Sequence, residues 1–179
     1  MFASASASAS ASALPCYLFA YGSCMNQQSF TATLGCDSRR YFLSVATLHQ
    51  HCLRFNYPSL NEPVCCANIT PAIGHAVQGA LYRMPAALLA LVDRREGVHL
   101  HRYKRQWVSV LLPDGQQVMA MTYFARVIHG QEAAPSARYR QLLLDGAHDA
   151  GVTLDYKINL LQHMARLPAR EMTDNALLP

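Results

Sequence analysis

The pattern of apolar and polar positions changes period along the chain, and the changes divide it into elements. Residues 17–26 read YLFAYGSCMN: an apolar and aromatic run, short enough for a buried strand, stops at Gly22-Ser23. Residues 27–40 are mixed and polar and have room for one short helix. Residues 41–55 are rich in β-branched and aromatic side chains, which predicts a long strand or a strand pair. Asn56-Tyr57-Pro58-Ser59 and Asn61-Glu62-Pro63 carry loop chemistry. Residues 64–69 predict a further strand closed by Thr70-Pro71, and residues 74–84 another, with Val77, Leu81 and Tyr82 as its apolar positions.

A helical spacing then takes over. Pro85 suits a first helical turn, where its missing N–H costs nothing. Leu88, Leu89, Leu91 and Val92 form one stripe, and Gly97 is placed to end the helix after Asp93-Arg94-Arg95-Glu96. Residues 103–112 and 117–125 flank Pro113-Asp114-Gly115 and predict a hairpin. Ser136 can cap a helix carrying Tyr139 and Leu142-Leu143-Leu144 to Gly146 or slightly past it. Asp155 can cap another with Ile158, Leu160, Leu161 and Met164, stopped before Pro168. Strands first, one inserted helix, a hairpin and closing helices make an α+β fold in one domain over residues 15–170. The Ala/Ser alternation within residues 1–14 predicts a disordered tail, and residues 171–179 are read as a C-terminal tail.

Composition narrows the function classes. With 179 residues, 51% hydrophobic and 15% charged, the chain reads as a globule with a sizeable core. Its net charge of +4 is scattered rather than gathered on one element, which argues against nucleic acid as a partner. No apolar run approaches membrane-spanning length, and the N-terminus lacks the basic and apolar regions of a secretory signal. The six cysteines show no CxxC pairing, and Cys65-Cys66 are adjacent within an apolar segment; free thiols and a cytoplasmic setting follow. Among the eight histidines, His49/His51 and His99/His101 would share a face if on strands, but no third and fourth ligand complete a metal site.

Three positions carry candidate chemistry. A glycine after a buried strand leaves its backbone N–H open to an anion, so the turn at Gly22-Ser23 is a candidate cradle. Glu96 closes an apolar helix, where the negative end of the dipole and partial burial both raise a carboxyl pKa; the plain alternative is a surface salt bridge with Arg94 or Arg95. Cys24 follows the turn and is a candidate nucleophile, with no histidine singled out as its base. Ser23 lacks the GxSxG surroundings of a hydrolase serine.

YLFAYGSCMN, then ANITPAIGHAVQGALYRM, then LVDRREGVHLHRYKR together resemble the gamma-glutamylcyclotransferase (AIG2-like) family. The matching positions are Ala67, Ile69, Pro71, Gly74, Val77, Gly79 and Tyr82, then Leu91, Asp93, Glu96-Gly97-Val98 and Tyr103. The likeness continues through Ser136-Ala137-Arg138-Tyr139, Gly146-Ala147, Gly151 and Tyr156. It covers about residues 17–161 with order and spacing intact. The resemblance implies a mixed β-barrel with packed helices and an enzyme releasing 5-oxoproline from a γ-glutamyl amine or γ-glutamyl amino acid, without metal or organic cofactor. It implies Glu96 as general acid and base, Leu18, Phe19, Ala20, Tyr21, Gly22, Ser23 and Cys24 as the substrate-binding stretch, and Tyr139 in the pocket. Such an enzyme belongs to the metabolism of glutathione and related γ-glutamyl compounds. Cys24 stands where the family often has Asn, and Leu18 where an aromatic is frequent, departures that bear on substrate preference. Rival readings are a binding module without catalysis, and cyclisation on a larger γ-glutamylated metabolite. Family members include dimers, but no strip of this sequence marks an interface.

Overall fold

A computed structural model describes residues 15–59 and 62–170; the two tails expected at 1–14 and 171–179 lie outside the described residues. Five strands close into a barrel in the order β1-β3-β2-β4-β5: β1 (Pro15–Ala20), β2 (Phe42–Pro58), β3 (Cys65–Pro85), β4 (Tyr103–Leu111) and β5 (Gln117–Ala125). Among the described residues four α-helices accompany it: α1 (Gln27–Leu34), α2 (Leu89–Glu96), α3 (Ala137–Asp149) and α4 (Leu154–Arg166). The expected α+β class and mixed barrel are therefore what the chain adopts.

The barrel mixes strand directions at β1. That strand runs antiparallel to β3, Leu18 opposite Tyr82, and parallel to β5, Leu18 opposite Met121. Both edges of β1 are thus hydrogen-bonded, which explains its continuous apolar run: Leu18, Phe19 and Ala20 are all buried. Phe19, Phe30, Phe55, Ile69, Leu81 and Tyr82 are among the largest side chains at the centre of the core. Among the described residues no helix is long and apolar enough to cross a membrane.

Several local expectations need correction. The segments 64–69 and 74–84 are one 21-residue strand, β3. Thr70-Pro71 does not end it; the ladder passes from His49–Ala76 to His51–Pro71, so residues 72–75 bulge out opposite a single β2 residue, Gln50. Gln50 sits at φ +59° and its side-chain oxygen accepts the Gly74 N–H at 3.0 Å. Asn56, Tyr57 and Pro58 extend β2 rather than forming a loop, because Tyr57 and Pro58 pair with Cys66 and Cys65. Pro85 is the last residue of β3, and a short 3-10 turn at Ala86–Leu88 precedes α2. The cap of α4 is Thr153, which accepts the Tyr156 N–H, and Asp155 lies in the first turn. His99 and His101 are in a 3-10 turn and its cap, not on a strand.

Candidate active site

The site grows from the end of β1. Tyr21 is buried and donates its hydroxyl to the Tyr123 carbonyl at 2.5 Å, while Thr122 donates to the Phe19 carbonyl at 2.8 Å; both bonds pin β1 to β5. Beyond Gly22 the chain makes one 3-10 turn, Ser23–Met25, closed by Met25 N–H to the Gly22 carbonyl at 2.9 Å. Buried Tyr82 holds the turn from β3 by donating to the Cys24 carbonyl at 2.9 Å. Asn26 then caps α1 by accepting the Ser29 N–H at 2.8 Å. Among the described residues the N–H groups of Gly22, Ser23 and Cys24 find no protein acceptor. Gly22 has φ −113°, open to any residue, so the turn itself does not demand glycine. A Cβ there would lie 3.4 Å from the Tyr139 hydroxyl, and its absence keeps the cavity open.

Glu96 is the last residue of α2, and Gly97 at φ +64° ends the helix in the left-handed cap expected of it. The cap turns the chain so that the Glu96 carboxylate faces the turn: Cys24 Sγ lies 3.7 Å from its Oε1 and Arg95 Nε lies 3.9 Å from the same oxygen. The side chain is only 22% exposed. Burial raises its pKa above the ordinary 4.5, opposed by the Arg95 charge and the Cys24 hydrogen bond. Arg95 is itself anchored, donating to the Ser29 carbonyl at 3.0 Å, to Ser29 Oγ and Ser23 Oγ at 2.9 Å each, and to Thr33 Oγ1. One guanidinium thus ties α1 and the turn to the carboxylate on α2.

Tyr139 completes the wall from α3, whose cap is Ser136 as expected. Gly146 permits the approach: a Cβ there would come within 2.7 Å of the Asn26 nitrogen, so α3 rests directly on the turn. The Tyr139 hydroxyl accepts the Ala67 N–H at 3.3 Å and keeps its own proton free among the described residues. The other phenols in the wall commit theirs, Tyr103 to the Ala67 carbonyl at 2.8 Å and Tyr123 to Asp93 Oδ1 at 2.8 Å. Together these groups enclose a largely apolar pocket with about 420 Å³ of empty space, its mouth included.

This order of elements has counterparts elsewhere. The AIG2-like family model matches residues 76–160. A gamma-glutamylcyclotransferase of Bos taurus is 26% identical over 146 residues, 79% of this chain and 75% of its own length. YkqA of Bacillus subtilis is 30% identical over 86% of this chain, which spans only 54% of YkqA. The YkqA crystal structure superposes with a TM-score of 0.79 at 29% identity, covering 87% of this chain and 56% of that one. A solved structure of a gamma-glutamyl cyclotransferase covers 92% of both chains with a TM-score of 0.74 at 23% identity. The chain is similar in sequence and in fold to gamma-glutamylcyclotransferases and to the AIG2-like family.

In this chain the nine site residues expected from the sequence, Leu18 to Cys24, Glu96 and Tyr139, all line the same pocket. The reading of Glu96 as a mere surface ion pair fails on its burial and on its second partner, Cys24. The nucleophile reading of Cys24 fares no better. Burial, only partly offset by Arg95, pushes its thiol up to about 12, and its polar neighbour is a carboxylate rather than an imidazole. Sequence reasoning missed Ala67, Val92, Tyr103, Thr122 and Tyr123 in the wall and gave Arg95 only a salt-bridge role. The apolar run of β5 is buried continuously over 120–125, so alternation does not single out Tyr123; nothing local marks Arg95 either, whose partners lie 62–72 positions away.

Proposed function

We propose that the chain is a cyclotransferase that converts a γ-glutamyl amine or γ-glutamyl amino acid into 5-oxoproline and the free amine. The observation that supports this best is the meeting, in one apolar pocket, of a half-buried carboxylate of raised pKa with the open amides of the 22–24 turn. Names of relatives such as the Bos taurus protein point the same way.

In the reaction Glu96 takes a proton from the substrate's α-ammonium group, and the nitrogen lone pair attacks the γ-carbonyl carbon. A five-membered ring closes and the carbonyl electrons move onto oxygen. Amides of Gly22, Ser23 and Cys24 are the donors available to that oxyanion or to the α-carboxylate. Collapse of the intermediate breaks the bond to the amine, which leaves as ammonium with the proton Glu96 had held and the surplus proton of the ring nitrogen, so that neutral lactam and the free carboxylate remain. One carboxyl serves as base and then as acid, and its raised pKa narrows the gap to an α-amine of about 8. Tyr139 can donate its uncommitted proton to the folded substrate. Every group required belongs to this chain.

The test is incubation with a panel of γ-glutamyl dipeptides and amides, following 5-oxoproline. Turnover that disappears in Glu96→Gln supports the reading; no turnover of any member, or full activity in the variant, sinks it.

A further inference from the structure

A second depression, with about 470 Å³ of empty space including its mouth, lies on the outer side of Glu96. It shares Ser23, Glu96, Tyr103 and Tyr139 with the inner pocket, so the two adjoin at the carboxylate. Two guanidinium groups line it, those of Arg95 and Arg102. Their situations differ. Arg95 spends its donors on Ser23, Ser29 and Thr33, whereas Arg102 makes no side-chain hydrogen bond or ion pair among the described residues, although it is half-buried.

Arg102 is nonetheless held in place. Its aliphatic stem lies across Gly97, where a Cβ would meet Arg102 Cδ at 2.6 Å, and its own N–H donates to the Gly97 carbonyl at 3.1 Å. Gly97 follows Glu96 directly, so the guanidinium is fixed at the mouth a short reach from the proton-transferring carboxylate. Beside it the Tyr57 ring packs on Tyr103 with centroids 4.6 Å apart, giving the depression an apolar flank. A half-buried guanidinium with five unspent donors next to an apolar wall is suited to a planar carboxylate that displaces its water.

Building on the cyclotransferase reading, we propose that Arg102 receives the carboxylate of the departing amine. The chain then selects γ-glutamyl amino acids and peptides over γ-glutamyl alkylamines. The γ-glutamyl part fills the inner pocket, the scissile amide lies by Glu96, and the leaving group extends outward to Arg102.

The test pairs γ-glutamylalanine with γ-glutamylisopropylamide, similar in size and lacking the carboxylate. In the wild-type protein kcat/KM favours the alanine compound, and in Arg102→Met that preference falls about 10- to 100-fold, carried mainly by KM. Arg102→Lys retains part of it. An equal loss on both substrates would place the guanidinium on the glutamyl moiety and overturn the proposal, as would a preference that survives in Arg102→Met. Calorimetric binding of both compounds to Glu96→Gln, with and without Arg102→Met, separates the two readings. If no compound is turned over, the cyclotransferase reading falls, while an Arg102-dependent binding preference keeps the carboxylate site and its absence removes it.

Discussion

Cys24 Sγ stands 3.7 Å from Glu96 Oε1, joining the 3-10 turn that follows β1 to the last residue of α2. With its thiol pushed up to about 12 by burial, Cys24 is a neutral donor to the carboxylate at physiological pH. That bond favours the ionised form of Glu96. Replacing Cys24 by Ala therefore leaves turnover within about tenfold of wild type, since only a weak sulfur donor is lost. The acidic limb of the kcat/KM profile moves to higher pH. Rate measurements between pH 4 and 8 check both outcomes, and loss of all activity would restore the nucleophile reading.

Glu96→Gln separates catalysis from stability. Turnover falls about 10²- to 10⁴-fold, the span of a lost general acid–base. A carboxyl whose folded pKa is raised stabilises the fold fully below its unfolded value and loses that contribution as pH climbs through the folded value. The Gln variant has no such loss, so its Tm exceeds wild type at pH 7 and the gap closes below about 4.5, the ordinary value. Thermal unfolding across that range is the measurement.

Arg95 is a positioning residue for Glu96, and its removal shows in acidity as well as rate. Arg95→Met takes away the charge that most opposes the burial shift, so the acidic limb moves up further than in Cys24→Ala. Ser29 and Ser23 lose their donor, lowering stability by about 1–3 kcal/mol. Arg95→Lys restores the limb better than the stability, because one ammonium cannot reach all the acceptors of the planar fork.

Two glycines of the site differ in what a methyl group would do. In Gly146→Ala the new carbon meets backbone at 2.7 Å, and α3 must shift; a loss of about 1–3 kcal/mol is expected. In Gly22→Ala the new carbon lies 3.4 Å from Tyr139 Oη, an ordinary contact, so Tm changes little while substrate KM rises. Paired melting curves and steady-state rates distinguish the two. A Gly22→Ala protein that melts far below wild type would contradict this account.

Much of the fold could be read from punctuation and period. The hairpin, the α2 cap at Gly97, the α3 cap at Ser136 and the strand before Gly22 all depend on neighbours in sequence, and all four are present. Where the reading slipped, pairing partners overrode local chemistry. Pro58 and Asn56 look like loop residues but continue a strand because β3 runs beside them, and Pro71 marks a bulge instead of an end. The site followed the same division. Cradle and carboxylate carry recognisable neighbours, whereas Arg95 and Arg102 gain meaning only once α1, the turn and Gly97 are assembled around them.

The direction of the donors around the pocket has a final consequence. Tyr21, Tyr103 and Tyr123 turn their protons into the protein, leaving Tyr139 as the wall phenol with one to give among the described residues. With the turn amides from β1 and the carboxylate from α2, the pocket offers three polar handles on three different elements. Three unlike handles on the wall of a pocket, which a ligand can meet only from the cavity side, distinguish mirror images. A γ-glutamyl compound that engages all of them does so as one enantiomer, and its mirror image must forfeit one.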